Sequence, residues 1–87
     1  MVCYRILRNG LKIEWGCTNT NTNMQSVILD LTYTKKFVFL TRSKTSDFAS
    51  GGGADRCPQW HDVSANEIKI DQYKATDSRS FYFVIGY

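Results

Sequence analysis

The chain has 87 residues, of which 43% are hydrophobic, 14% aromatic and 22% charged, and its formal net charge at pH 7 is +3. This length leaves room for one core only, and the composition excludes a disordered or fibrous chain. The lysines and arginines are scattered, which argues against a nucleic-acid-binding surface. No apolar run reaches the roughly 20 residues that cross a bilayer, so we expect a soluble chain that does not insert into membranes.

Three cysteines, Cys3, Cys17 and Cys57, cannot all pair within one chain. Their spacing matches neither a zinc ribbon nor a redox CxxC motif, so we expect reduced thiols. A chain this short buries only about 60 to 65% of the surface that its unfolded form exposes, which leaves its stability marginal. Association between copies is therefore expected as an additional source of stability.

The first predicted element is a β-hairpin. Residues 4–8 and 11–15 have strand composition, and the intervening Asn9-Gly10 favours a type I′ turn, in which both central residues have positive φ. The second strand alternates apolar with charged residues: Leu11, Ile13 and Trp15 against Lys12 and Glu14. This alternation predicts one buried and one wet face, with Trp15 in the core.

The middle of the chain contains two more predicted strands. Residues 16–23 form a polar tract, which predicts a loop. An apolar face then recurs at every second position: Val27, Leu29, Leu31 and Tyr33. Residues 37–41 are apolar on both faces and predict a central strand.

The last third begins with a long irregular segment. Residues 43–58 hold the only proline and the triplet Gly51–Gly53, and a segment of this kind is usually functional or mobile. Residues 67–71 and 81–87 predict two further strands, and the last, which is aromatic on both faces, should be packed on both sides. No helical periodicity appears, so the sequence predicts an all-β protein of about six antiparallel strands in a small sandwich or barrel.

The two ends of the chain resemble a known family. Tyr4-Arg5-Ile6 with residues 9–16 (Asn-Gly-Leu-Lys-Ile-Glu-Trp-Gly), and the closing residues 81–87 (Phe-Tyr-Phe-Val-Ile-Gly-Tyr), resemble the signature strands of a phage tail-fibre C-terminal domain. Residues 27–29 and 37–41 are similar to the paired central strands of that family. Two features depart from it: Glu14 stands where the family usually has Gln, and residues 45–62 form a longer and more polar connection.

The resemblance implies a fold like that of H-type lectins, with residues 1–87 forming a single six-stranded antiparallel β-sandwich. It also implies a homotrimer with binding sites near the subunit boundaries, where avidity strengthens one weak site. The implied partner is a host-surface glycan or protein, and the implied location is the tail-fibre tip of a virion assembled in the host cytoplasm. Two alternatives remain: a trimerisation cap without a ligand, and a small barrel that binds single-stranded nucleic acid.

The candidate ligand site lies at residues 55–62. A sugar presents apolar C–H faces and many hydroxyl groups, so its site needs an aromatic ring beside hydrogen-bonding side chains. In this interpretation Trp60 stacks on the sugar and its neighbours form hydrogen bonds; the candidates are Asp55, Arg56, Gln59, Trp60, His61 and Asp62. In the alternative, Trp60 anchors the segment on the core while His61 and Asp62 are ordinary exposed residues.

Neither a metal site nor an active site follows from the sequence. His61 and Asp62 are adjacent, so on an extended segment their side chains point to opposite faces. The spacing of Cys17 or Cys57 from His61 does not require a nucleophile and base to meet. We therefore expect no metal, no cofactor and no enzymatic activity.

Overall fold

The computed structural model describes residues 3–19, 22–44, 58–72 and 78–87. These residues form strands and no helix, so they include no helix that is long and apolar enough to cross a membrane. The strands are β1 (Cys3–Ile6), β2 (Lys12–Cys17), β3 (Met24–Ile28), β4 (Lys36–Lys44), β5 (Gln59–Ser64), β6 (Glu67–Asp71) and β7 (Ser78–Gly86). The predicted all-β class is confirmed, with seven strands instead of six.

The strands form two antiparallel sheets. The four-stranded sheet has the order β1-β2-β7-β4, and the three-stranded sheet has the order β3-β6-β5. Residues of both sheets meet in one hydrophobic core, as in a β-sandwich. Its members are Val27, Leu29, Tyr33, Ile68, Ile70, Tyr82 and Val84.

The predicted hairpin is confirmed, but its turn differs from the prediction. β1 and β2 pair from Cys3 opposite Trp15 to Ile6 opposite Lys12. The Gly10 N–H donates to the Leu7 carbonyl at 2.9 Å, and Gly10 has a φ of 87°. The Leu7 N–H donates to the Leu11 carbonyl at 2.7 Å, so the connection has three residues and ends in a left-handed glycine. The Asn9 side chain accepts the Leu11 N–H at 3.1 Å.

One strand was not predicted from the sequence, and another lies at a different position in its sheet. Residues 59–64, predicted to belong to a long connection, form β5, which pairs with β6 through a register shift between Asp62 and Ser64. This strand has no buried apolar face of its own, so its sequence lacks the alternation that predicts a strand. β4, predicted to be central, lies at an edge, with Phe37 and Phe39 both 61% exposed.

The predicted faces of β2 are reversed. Glu14 is fully buried, whereas Trp15 is 39% exposed on the outer side of the sheet. The Glu14 carboxylate accepts the N–H groups of Asp30 at 2.8 Å and Leu31 at 3.2 Å, and the Tyr33 hydroxyl at 3.1 Å. The Glu14 carboxylate thus supplies hydrogen-bond acceptors that the backbone after β3 does not find in its own strand. The prediction that Trp15 lies in the core is wrong for a single chain.

Lysines link the two sheets along their sides. The Lys36 ammonium donates to the Ser64 carbonyl at 2.6 Å and lies 2.6 Å from the Asp62 carboxylate. The Lys12 ammonium donates to the Thr32 carbonyl at 2.5 Å. Both ammonium groups stay next to oxygen atoms while their methylene stems cover the sandwich, which stabilises its open sides.

One end of the sandwich is held by buried polar side chains. The Ser80 hydroxyl donates to the Gln72 side-chain oxygen at 2.8 Å, and the Thr18 hydroxyl accepts the Ser80 N–H at 2.9 Å. Gln72 in turn donates to the Thr22 carbonyl at 2.8 Å. Every buried side-chain polar atom of the described residues has a partner, so this network orders the end of the sandwich without a desolvation penalty.

Stability is expected to fall when the pH rises above about 10. Burial, followed by the nearby charges of Glu14, Cys17 and Asp30, raises the pKa of Tyr82 to about 12, and burial and Glu14 also raise the pKa of Tyr33. The unfolded chain releases its phenol protons near pH 10, whereas the folded chain retains them. The contribution of Tyr82 is therefore complete below pH 10 and declines by roughly 2 kcal/mol between pH 10 and pH 12.

Urea unfolding at pH 8, 10 and 11.5, for the native chain and for Tyr82→Phe, measures this effect. Lysines that lose their protons in the same pH range affect both chains, so the difference between the two isolates Tyr82. We expect the variant to lose less stability than the native chain above pH 10. Parallel pH profiles would contradict the assignment.

Candidate functional site

The outer side of the three-stranded sheet carries a groove of about 320 Å³, which we call the polar groove. Strands β3, β5 and β6 each contribute to its wall. Its lining residues are Met24, Gln59, Trp60, His61, Lys69 and Asp71. The groove is open to solvent along one side of the sandwich.

The strand register brings these side chains together. Asp71 of β6 lies opposite Met24 of β3 and Gln59 of β5, and Lys69 lies opposite His61. Side chains opposite one another on one face of an antiparallel pair have Cβ atoms about 5 Å apart. The groove is therefore built on two neighbouring rows of a rigid sheet.

The groove combines acceptors, donors and an apolar contact. The Asp71 carboxylate accepts hydrogen bonds, the Lys69 ammonium donates them, and the Gln59 amide does both. Met24, which is 55% exposed, offers a flexible apolar surface at the rim. These groups suit a small polar ligand with an apolar face.

The four predicted site residues that the structure describes separate into three groups. Gln59 and His61 are exposed and line the groove. Trp60 borders the groove but packs against the hydrophobic core, as the anchoring alternative requires. Asp62 forms an ion pair with Lys36 at 2.6 Å and does not line the groove.

Asp55 and Arg56, the other two candidates, lie outside the described residues. Cys57 and the Gly51–Gly53 triplet also lie outside them. Among the described cysteines, Cys3 and Cys17 are free thiols, each half-buried. Within the described parts of the chain, no group of three His, Cys, Asp or Glu side chains is placed to hold a metal ion.

The sequence interpretation missed Met24, Lys69 and Asp71. The alternation of residues 67–71 places Lys69 and Asp71 on the same solvent-facing side of the strand, and this pattern could have identified them as neighbours. Locating that face beside Gln59 and His61 requires knowing that residues 59–64 form a strand paired with β6. That pairing is a tertiary feature, and β5 carries no pattern that indicates it.

The outer side of the four-stranded sheet has a different chemistry. Its large apolar residues, which we call the aromatic face, are the exposed Trp15, Phe37, Phe39, Phe81 and Phe83 and the half-buried Ile13 and Ile85. The register aligns Trp15, Phe83 and Phe39 in one row across three strands.

The rings of this row contact one another. The Trp15 and Phe83 rings are stacked, with centroids 6.5 Å apart and 16° between their planes, and the Phe39 ring lies 6.4 Å from Phe83 at 51°. A shallow depression of about 460 Å³ lies among Trp15, Phe39, Phe81 and Phe83. The face is therefore an ordered aromatic surface.

Comparison of the chain with protein-family models, with curated proteins and with solved structures found no match. The strands and their pairing define the protein as a small β-sandwich-like, all-β protein. Its resemblance to phage tail-fibre C-terminal domains stays a prediction from the terminal motifs.

Proposed function

We propose that this chain is a receptor-binding module, the tip of a phage tail fibre, which recognises a host cell-surface glycan through the polar groove. The groove of about 320 Å³, lined by polar side chains on a rigid sheet, carries this proposal. The motifs at residues 4–16 and 81–87 support the tail-fibre assignment. The proposed module acts as a homotrimer on the virion, without a cofactor and without catalysing a reaction.

The lining of the groove favours a glycan over a protein receptor. Sugar hydroxyl groups both donate and accept, which matches the carboxylate of Asp71, the ammonium of Lys69 and the amide of Gln59. The C–H face of a sugar would lie against Met24 and the exposed edge of Trp60. One such site is small and weak, and three linked copies would raise the effective affinity by avidity.

Asp71→Asn is expected to weaken glycan binding about tenfold, because a hydrogen bond to a charged group contributes about 1.5 to 3 kcal/mol. A glycan array and binding to susceptible cells identify the ligand, and titration of the isolated protein then gives the affinity. Asn keeps the shape of the side chain and removes its charge, so the sheet should remain intact.

Glu67→Gln is the matched control for Asp71→Asn. Both acidic residues lie on the outer face of β6 and are half-buried, but Glu67 does not line the groove. We expect this control to bind as the native chain does. Equal losses in the two variants, or no binding of the native protein to any glycan or susceptible cell, would overturn the proposal.

A single-stranded nucleic-acid binder is the second candidate, because exposed aromatic rings such as those of Phe37 and Phe39 are the stacking surface that such proteins use. Arg5 and Arg79 belong to the same side of the sheet. This candidate predicts an affinity for oligonucleotides that falls steeply with salt. A flat titration at low salt would remove it.

A further inference from the structure

We infer that the aromatic face is the surface through which copies of this chain associate. The inference rests on the proposed assembly of copies and names the surface through which they assemble. It does not depend on the ligand of the polar groove. Within residues 3–19, 22–44, 58–72 and 78–87 nothing covers this face: its aromatic side chains are 39% to 61% exposed.

The first argument is the polarity of β7. Its inward residues are Ser78, Ser80, Tyr82, Val84 and Gly86, of which Tyr82 and Val84 belong to the core. Its outward residues are Arg79, Phe81, Phe83 and Ile85, so most of this strand's large apolar side chains point outward. The period-two pattern of a strand normally puts the apolar set on the buried face. The outer face of β7 thus has the composition of a buried surface.

The second argument comes from β2, whose buried residue is charged and whose apolar residues lie outside. Glu14 points inward and is fully buried, while Ile13 and Trp15 lie on the outer side. Two adjacent strands therefore present their apolar sets outward together. The pattern that predicted Trp15 to be buried is satisfied only if something covers this face.

The third argument is area. The five aromatic side chains of the face are between two-fifths and three-fifths exposed, so together they expose on the order of 500 Å² of largely apolar surface. A stable interface buries roughly 800 Å² per partner, and the largest apolar patch of a monomer is roughly 300 to 600 Å². With the half-buried Ile13 and Ile85 and the rim, the face approaches the area of a standard interface.

The charges of the face favour a second copy as its occupant. Among the described outward residues, the charged side chains are Arg5 and Arg79, at opposite ends of the face, and the centre has none. Copies can therefore associate through the centre of the face without burying a charge. A core of seven buried apolar residues, in the part of the chain that the structure describes, also makes the single chain marginal, so each copy gains stability from the contact.

Sedimentation of the native chain across concentrations tests the inference, with Phe39→Lys as the disrupting variant. Phe39 is 61% exposed on β4 and lies in the central aromatic row, so a lysine there places a charge inside the interface. We expect the native chain to sediment as two or more copies, and the dissociation constant of the variant to rise at least about 100-fold.

Ile28→Lys is the matched control, because Ile28 is 60% exposed on β3 of the opposite sheet. It should assemble as the native chain does. Circular dichroism establishes that each variant is folded; if Phe39→Lys is unfolded, Phe37→Lys, at equal exposure, replaces it.

A native chain that stays monomeric at 100 µM and above would overturn the inference and point to a different protein as the occupant of the face. Equal dissociation of Phe39→Lys and Ile28→Lys would also overturn it. Glycan titration of the same samples separates the two proposals. Assembly without glycan binding would support the interface and reject the receptor function. Glycan binding by a native monomer would support the receptor function and reject the interface.

Discussion

Replacing Glu14 with alanine is expected to lower the free energy of unfolding by about 4 kcal/mol, a large part of the stability of a domain this size. The Glu14 carboxylate is fully buried and accepts the N–H groups of Asp30 and Leu31 and the hydroxyl of Tyr33. Alanine leaves these donors without their acceptor and opens a cavity, and both effects destabilise the fold.

Glu14→Gln separates the charge from the shape. Glutamine retains the length of the side chain and one acceptor oxygen, but its NH₂ group then faces a donor. We expect an intermediate loss of about 1 to 2 kcal/mol. This variant therefore also tests whether the backbone after β3 requires a carboxylate here.

Urea unfolding at pH 7, followed by circular dichroism, measures both Glu14 variants. Glu67→Gln serves again as the control, since Glu67 lies on the outer side of β6 and its replacement should change stability by less than about 0.5 kcal/mol. If Glu14→Ala unfolded within about 1 kcal/mol of the native chain, the carboxylate would not hold residues 30–33 in place.

The sequence was sufficient where a strand has alternating residues and a clear turn. The hairpin of β1 and β2 and the strands β6 and β7 lie where the sequence predicts them, whereas β3 ends at Ile28, before the Leu31 and Tyr33 of its predicted pattern. β5 was missed because its register with β6 maintains it, while its own side chains are mostly exposed. Pairing between distant segments leaves no local pattern in such a strand.

Alternation shows which residues share a face but not what covers that face. In β2 the sequence correctly placed Ile13 and Trp15 on one face and Lys12 and Glu14 on the other, yet the single chain buries Glu14 and exposes Trp15. For the same reason, apolar residues on both faces predicted a central position for β4, which is an edge strand. Association through the aromatic face would account for both discrepancies.

The candidate site shows the same limit. Gln59 and His61 were found because the Gln-Trp-His-Asp segment combines an aromatic ring with polar groups. Lys69 and Asp71 join them only through the register of β5 with β6. Side chains gathered from separate strands become a visible cluster only when the pairing is known.

Gly86→Ala is expected to lower the free energy of unfolding by about 3 kcal/mol or more, because a Cβ atom has no space there. A Cβ built on Gly86 would overlap the Lys35 carbonyl oxygen and lie 2.9 Å from the Cα of Lys36. The neighbouring backbone cannot withdraw easily, since the Tyr87 N–H donates to that same Lys35 carbonyl at 3.0 Å. The entropic gain of replacing glycine in the unfolded chain, at most about 1 kcal/mol, is too small to compensate.

Thermal unfolding measures the effect of Gly86→Ala, and we expect a fall in Tm of roughly 12 to 24 °C. Gly10→Asn is the control, because nothing lies within 4 Å of a Cβ at Gly10 and asparagine tolerates its positive φ of 87°. A Tm for Gly86→Ala within about 4 °C of the native value would contradict the steric explanation. Gly86 thus permits the close approach of the Lys35 and Lys36 backbone to the end of β7.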